Sequence, residues 1–176
     1  MASPLPDLDV RDPAPEDIPA LVRIWYDGYR DAHAALLPEA LLRTRTLDSF
    51  LERMKEHLSD VRVVGAVGAP LGFYMLQADE LYQLYVAAEC RGVGVAAALI
   101  ADAETKMRES GIETAWLACA IGNERAARFY EKSGWRLVGT FVNRLETLEG
   151  PIDLEVLRYE KRLAPTIEMP AGATHA

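Results

Sequence analysis

Arg91, Gly92, Val93, Gly94, Val95 and Ala96 lead from the apolar segment Leu84, Tyr85, Val86 straight into an alanine-rich stretch. The chemistry open to such a turn is anion binding. The first N–H groups of a helix have no internal partner and its dipole favours negative charge there. Gly92 and Gly94 let the main chain curl close to a ligand, and Arg91 can add a charged fork to a phosphate oxygen. A pyrophosphate fits this arrangement. Further along, Asn123 and Tyr130 stand two helical turns apart and so share a face, with Ala126 and Ala127 between them leaving room for a ligand. By themselves Asn123 also reads as an N-cap and Tyr130 as a core aromatic with a wet hydroxyl.

Two readings compete for the glycine turn. Gly92-Val93-Gly94-Val95-Ala96-Ala97 fits the GxGxxG/A fingerprint of dinucleotide binding. That fold places the turn after its first strand and an acidic residue about 20 positions on. Here several strand-like segments precede the turn, and Trp116-Leu117-Ala118-Cys119-Ala120 holds no carboxylate, which weighs against a nicotinamide cofactor. The other reading rests on two motifs. Arg91 to Ala96 matches the pattern R/Q-x-x-G-x-G/A, and Asn123 to Trp135 matches N-x-x-A-x-x-x-Y-x-x-x-G-F/W. In this order and spacing they resemble the GNAT superfamily of acyl-CoA-dependent N-acyltransferases, and the resemblance runs in element order from about Leu8 to Leu163.

The resemblance implies acetyl-CoA as co-substrate and direct transfer of its acetyl group to a primary amine. It implies that Arg91, Gly92, Val93, Gly94, Val95 and Ala96 hold the pyrophosphate, and that the main chain at Leu84, Tyr85 and Val86 binds the acyl and pantetheine portions. An N–H near Tyr85 or Val86 is the expected oxyanion donor. Asn123, Ala126 and Tyr130 would line the cofactor, with the Tyr130 phenol near the sulfur as proton donor to the departing thiolate. Glu80 stands where some members carry a catalytic glutamate; its other reading is a solvated turn residue beside Asp79. The first helices would frame the acceptor through Trp25, Tyr26, Tyr29 and His33, with Asp27, Asp31 or Glu39 available to attract an amine. Trp25 and Tyr29 also fall on an apolar stripe and are candidates for the core. A small-molecule amine and a protein or peptide amine both remain open, as do a homodimer and a catalytically inactive acyl-CoA-binding sensor or partner-binding module.

The elements that must position these residues follow from periodicity. Leu8 to Arg11 is a short strand, and the proline and acidic residues at 12–17 start a helix whose stripe is Ile18, Leu21, Val22, Trp25 and Tyr29. Leu36 to Glu39 breaks that pattern before a second helix from Leu47 to Leu58. Segments 61–68, 71–78 and 81–86 form a meander of strands turning at Gly68-Ala69-Pro70 and Asp79-Glu80. A helix over 93–110 and a strand over 114–120 complete a crossover, which makes strands 81–86 and 114–120 parallel. A helix from Asn123 to Ser133 and strands over 136–142 and 153–160 follow. The expected class is α/β (α+β): a mostly antiparallel sheet of six to seven strands with one splayed parallel pair and helices on both faces. One domain is expected over 5–163, with a disordered tail over 164–176.

Composition sets the limits. A net charge of −8 without a basic run argues against nucleic acid, and the acidity reads as a solvated surface or as an attraction for cationic small molecules. Apolar runs fall short of a membrane span, and the N-terminus lacks a basic start and apolar centre, so the cytoplasm is the expected location. Cys90 and Cys119 read as free thiols, and neither CxxC nor Cys/His spacing suggests a metal.

Overall fold

The structure is a computed structural model that describes residues 7–163; the tail expected at 164–176 lies outside the described residues. Seven strands form one sheet in the order β1-β2-β3-β4-β5-β7-β6. They are β1 (Val10–Arg11), β2 (Val61–Ala66), β3 (Ala69–Gln77), β4 (Glu80–Val86), β5 (Thr114–Ala120), β6 (Arg136–Leu145) and β7 (Ile152–Arg162). Every neighbouring pair is antiparallel except β4 and β5, the parallel pair that the crossover requires. The helices are α1 (Ile18–His33), α2 (Glu39–Thr44), α3 (Leu47–Glu56), α4 (Val95–Glu109) and α5 (Glu124–Lys132).

Two helices start where a side chain supplies an acceptor for an orphan N–H group. Thr46 caps α3 by accepting from the Ser49 N–H at 3.2 Å, and Asn123 caps α5 by accepting from Ala126 N–H at 3.3 Å. Two cores flank the sheet. On one face α1 and α3 bury Leu21, Trp25, Phe50 and Met54 against Val63, Phe73 and Met75. On the other, α4 buries Leu99, Ile100, Ala103 and Met107 against Tyr74, Leu81, Leu117 and Tyr159. Each of these large side chains contributes roughly 1.5–3 kcal/mol by leaving water.

Several details depart from the sequence reading. The stretch after α1 contains a further short helix, α2, entered through Pro38, whose fixed φ suits the position just before a first turn. The β2–β3 turn lies at Val67-Gly68, so Ala69 and Pro70 already belong to β3. Helix α4 begins at Val95 rather than Val93, because Gly94 has φ 91°. Strand β6 runs three residues past its expected end, to Leu145, because its ladder with β7 continues to Ile152, and β7 continues to Arg162 through its pairing with β5. Strand β4 also carries a bulge: Met75 pairs with Gln83 and Leu76 with Leu81, so Tyr82 has no partner on β3. The extra residue shifts the alternation. Leu81, Leu84 and Val86 thereby face the α4 core, while Tyr82 and Tyr85 face α1 and α3.

One buried charge fastens the edge of the sheet to α1. Asp17 is fully buried and accepts from both terminal nitrogens of Arg11 at 2.7 and 3.0 Å, and from the N–H groups of Ala14 and Gly68 at 2.8 Å each. The Arg11 guanidinium, with these amides, holds its carboxyl down at about 2 against burial acting the other way. A depressed folded-state value means stability that is present above the unfolded value of 3.8 and lost as the pH falls towards about 2. Removing one partner of such a pair leaves an uncompensated charge, so Asp17→Ala is expected to destabilise by about 3 kcal/mol in urea denaturation at pH 7, with the difference from the parent shrinking between pH 4 and pH 2.

Candidate active site

The site begins where two strands part. β4 and β5 pair only at Glu80 and Trp116, where the Trp116 N–H donates to the Asp79 carbonyl at 3.0 Å. Beyond that point Leu84 to Val86 pair only with β3, and Leu117 to Ala120 only with β7. The facing edges are left without strand partners. Ala87 N–H donates to Leu71 C=O at 2.8 Å, which fixes the alternation of the β3–β4 ladder. Two residues on, Tyr85 is engaged with Phe73, and the backbone groups of Leu84 and Val86 point into the opening.

Two cavities meet in this wedge. The larger, of about 440 Å³, lies between the free edge of β4, the glycine turn and α5. Of the residues expected at the cofactor, Leu84, Tyr85, Val86, Arg91, Gly92, Gly94, Val95, Ala96, Asn123, Ala126 and Tyr130 line it. Val93 does not, and its side chain is exposed. The smaller, of about 190 Å³, lies on the α1 side and takes in Trp25, Tyr29, His33 and Glu80. Tyr26 lines neither cavity and packs edge-on to Phe50. Leu84, Tyr85, Asn123, Ala126 and Tyr130 belong to both walls, so the cavities form one passage through the sheet.

The turn has the backbone of an anion cradle. Gly92 and Gly94 have φ of 83° and 91°, a region in which a side chain is strained. The first intrahelical bond of α4 runs from Ala98 N–H to Gly94 C=O at 3.0 Å, which leaves the N–H groups of Val95, Ala96 and Ala97 without helical acceptors. Arg91 and Arg125 stand at the rim, bridged by Asp31 at 3.1 and 3.5 Å. A glycine that the sequence reading passed over shapes the opposite wall. At Gly28 of α1 a Cβ would come within 2.6 Å of the Tyr85 ring, so only glycine lets the helix lie this close to the splayed strand.

The titrating groups divide by cavity. Burial, reinforced by the neighbouring Asp79 and opposed by Arg158, lifts the Glu80 carboxyl to about 7, the range a general base needs near neutral pH. Burial lowers His33, whose Nδ1 lies 2.9 Å from the Tyr29 carbonyl; with Nδ1 as donor, Nε2 keeps its lone pair. Burial raises the Tyr130 phenol, which therefore stays protonated. Cys119 is pushed up to about 11 by burial and Cys90 is raised for the same reason, so neither supplies a thiolate at neutral pH. The sequence reading missed Arg45, Arg53, Tyr82 and Asn143, which also line the smaller cavity. Arg53 was legible only as the residue between Phe50 and Met54 on a buried stripe, and Arg45 follows the short helix that went unanticipated.

The passage thus has unpaired helix N–H groups at one end and a raised carboxyl at the other. The Acetyltransferase (GNAT) family profile matches residues 18–135. The chain belongs to this family. It is 32% identical over 120 residues to an uncharacterized N-acetyltransferase of Mycobacterium tuberculosis, spanning 63% of this chain and 77% of the relative. Two crystal structures share the GNAT fold. A GCN5-related N-acetyltransferase from Rhodopseudomonas palustris superposes with TM-score 0.68 at 21% identity over 93% of this chain and 99% of its own. The PaiA N-acetyltransferase of Thermoplasma acidophilum, solved in complex with coenzyme A, gives 0.67 at 19% identity over 88% and 98%.

The raised Glu80 carboxyl has a consequence for stability that is independent of activity. A folded value of about 7 above an unfolded value of 4.5 means that the neutral form's contribution is complete below pH 4.5 and is lost as the pH rises through about 7. Glu80→Gln, which cannot ionise, is therefore expected to gain stability relative to the parent between pH 5 and pH 8 in chemical denaturation. A carbon-13 titration of the Glu80 carboxyl should show its midpoint near 7.

Proposed function

We propose that the protein transfers the acetyl group of acetyl-CoA directly to a primary amine held on the α1 side of the wedge. The observation that carries this reading is the continuity of the two cavities at Leu84, Tyr85 and Tyr130, with the amide cradle at one end and Glu80 at the other. The pyrophosphate of the donor would take the N–H groups at 95–97 and the guanidinium of Arg91, and the pantetheine would run along the free edge of β4. The coenzyme A complex of the Thermoplasma neighbour supports this choice of donor.

In the reaction, Glu80 takes a proton from the acceptor ammonium, directly or through a water, and the freed nitrogen lone pair attacks the thioester carbon. The C–N bond forms and the carbonyl oxygen becomes an oxyanion. The Val86 N–H is the donor suited to it, because the ladder leaves that group facing the opening. On collapse the C–S bond breaks, and the sulfur takes the Tyr130 phenolic proton while the proton shed by nitrogen restores the phenol. Holding the partners in one passage supplies the remaining advantage, and no covalent enzyme intermediate is needed.

Thiol release from acetyl-CoA across a panel of amines tests the reading. Tyr130→Phe is expected to lower kcat by about 10²-fold with little change in CoA affinity, and Glu80→Gln to remove the rising limb of the pH–rate profile near pH 7. CoA at about 100 times its Kd should raise stability by about 2.7 kcal/mol, and NAD should not. CoA binding without turnover of any amine would instead make the protein a non-catalytic acyl-CoA-binding module.

A further inference from the structure

The acceptor side of the wedge is basic, although the chain as a whole carries a net charge of −8. Arg53 and Arg45 line the smaller cavity, and both also line the outer opening of about 380 Å³ that continues it past Tyr82 and Asn143. The Arg53 guanidinium lies 4.5 Å over the Trp25 ring and 5.4 Å over Phe50, and donates to the Tyr82 hydroxyl at 3.0 Å. Aromatic faces and one hydroxyl fix its plane but use only a fraction of its five donors. Among the described residues no carboxylate stands within ion-pair distance of Arg53 or Arg45. The neighbouring arginines are paired: Arg43 with Glu149 at 3.1 Å, Arg144 with Asp153 at 3.8 Å and Arg158 with Glu160 at 2.9 Å. The buried indole N–H of Trp25 is a further donor without an acceptor among the described residues.

The acids that the sequence offered to a cationic acceptor lie elsewhere. Asp31 bridges Arg91 and Arg125 at the cradle, Asp27 stands 3.7 Å from Arg23, and neither of them nor Glu39 lines the smaller cavity. Glu80 is its one acidic residue among those described, and the reaction commits that residue to the attacking nitrogen; the outer opening adds Glu146, which lies 3.8 Å from Arg144. A second ammonium on the acceptor would meet two cations, whereas an oxyanion would find a planar fork already oriented for it.

We infer that the acceptor is a small primary amine that also carries an oxyanion, a carboxylate or a phosphate, held by Arg53 and Arg45 while its nitrogen faces Glu80. The inference rests on the acetyltransferase reading and narrows its substrate class.

The test compares acceptors that differ only in the anion: glycine with glycinamide, β-alanine with its amide, and 2-aminoethyl phosphate with ethanolamine, at saturating acetyl-CoA. One charge-assisted contact gives about tenfold or more, so at least one anionic acceptor should exceed its neutral counterpart in kcat/KM by that factor, and which pair responds separates carboxylate from phosphate. Arg45→Gln should raise KM for the anionic acceptor by a larger factor than for its neutral counterpart, and Arg53→Lys, which keeps the charge but loses the fork, should reproduce that difference in part. Neutral amines or polyamines used as well as the anionic ones would overturn the inference. In the CoA-saturated protein, the Arg45 and Arg53 Nε–H resonances should shift saturably with glycine or 2-aminoethyl phosphate even if no amine is turned over; unmoved resonances with both probes would overturn it too. Failure of CoA to bind at all would bring down the acetyltransferase reading, and with it this refinement.

Discussion

A parallel pair of strands that meets once and then separates governs the rest of this molecule. Backbone N–H and C=O groups at depth must find partners, and a strand edge opened inside a sheet would normally be closed by the neighbouring strand. Here β4 and β5 touch at Glu80 and Trp116 and then part, held open from behind by their other neighbours, β3 and β7. The two cores on either face of the sheet keep the parted strands from collapsing together. The polar edge that results needs polar partners, from water or a ligand, and the two cavities, the glycine turn and Tyr130 all lie beside it.

The electrostatic pattern follows from that geometry. Charges on the open surface mostly pair with one another at long range from the chemistry, as at Arg23 with Asp27 or Lys106 with Glu109. Within the passage each group is set apart by what surrounds it. Glu80 is kept from ionising early by burial and by Asp79, the phenol of Tyr130 is kept neutral, and His33 is kept uncharged by the apolar wall around it. Opposite ends of one channel thus offer a cradle for phosphate and a group ready to accept a proton, with no cysteine thiolate in between.

Legibility in the sequence tracked how local the physics was. Gly92 and Gly94 declared themselves because only particular residues tolerate that backbone, and Asn123 with Tyr130 because helical spacing alone puts them on one face. The order of strands and helices was equally readable from periodicity and gave the parallel pair. What escaped depended on contacts distant along the chain. Arg45 and Arg53 carry no local signal and line the cavity only once α3, β4 and β6 come together, and nothing in the residues around Gly28 announces that Tyr85 will press against it. Tyr26 illustrates the reverse: an aromatic next to a buried stripe looked like a pocket residue and turned out to pack on Phe50 between two arginines.

The unpaired residue at Tyr82 sets a frame for everything downstream of it on β4. Because side chains alternate along a strand, losing one residue between Leu81 and Leu84 would exchange inside for outside: Tyr85 would turn into the space of α4, and the amides of Leu84 and Val86 would turn away from the gap. The loop at 146–151, which joins β6 to β7, lies outside that frame. The seven positions from Glu80 to Val86 must therefore keep their length if the amides of Leu84 and Val86 are to face the gap.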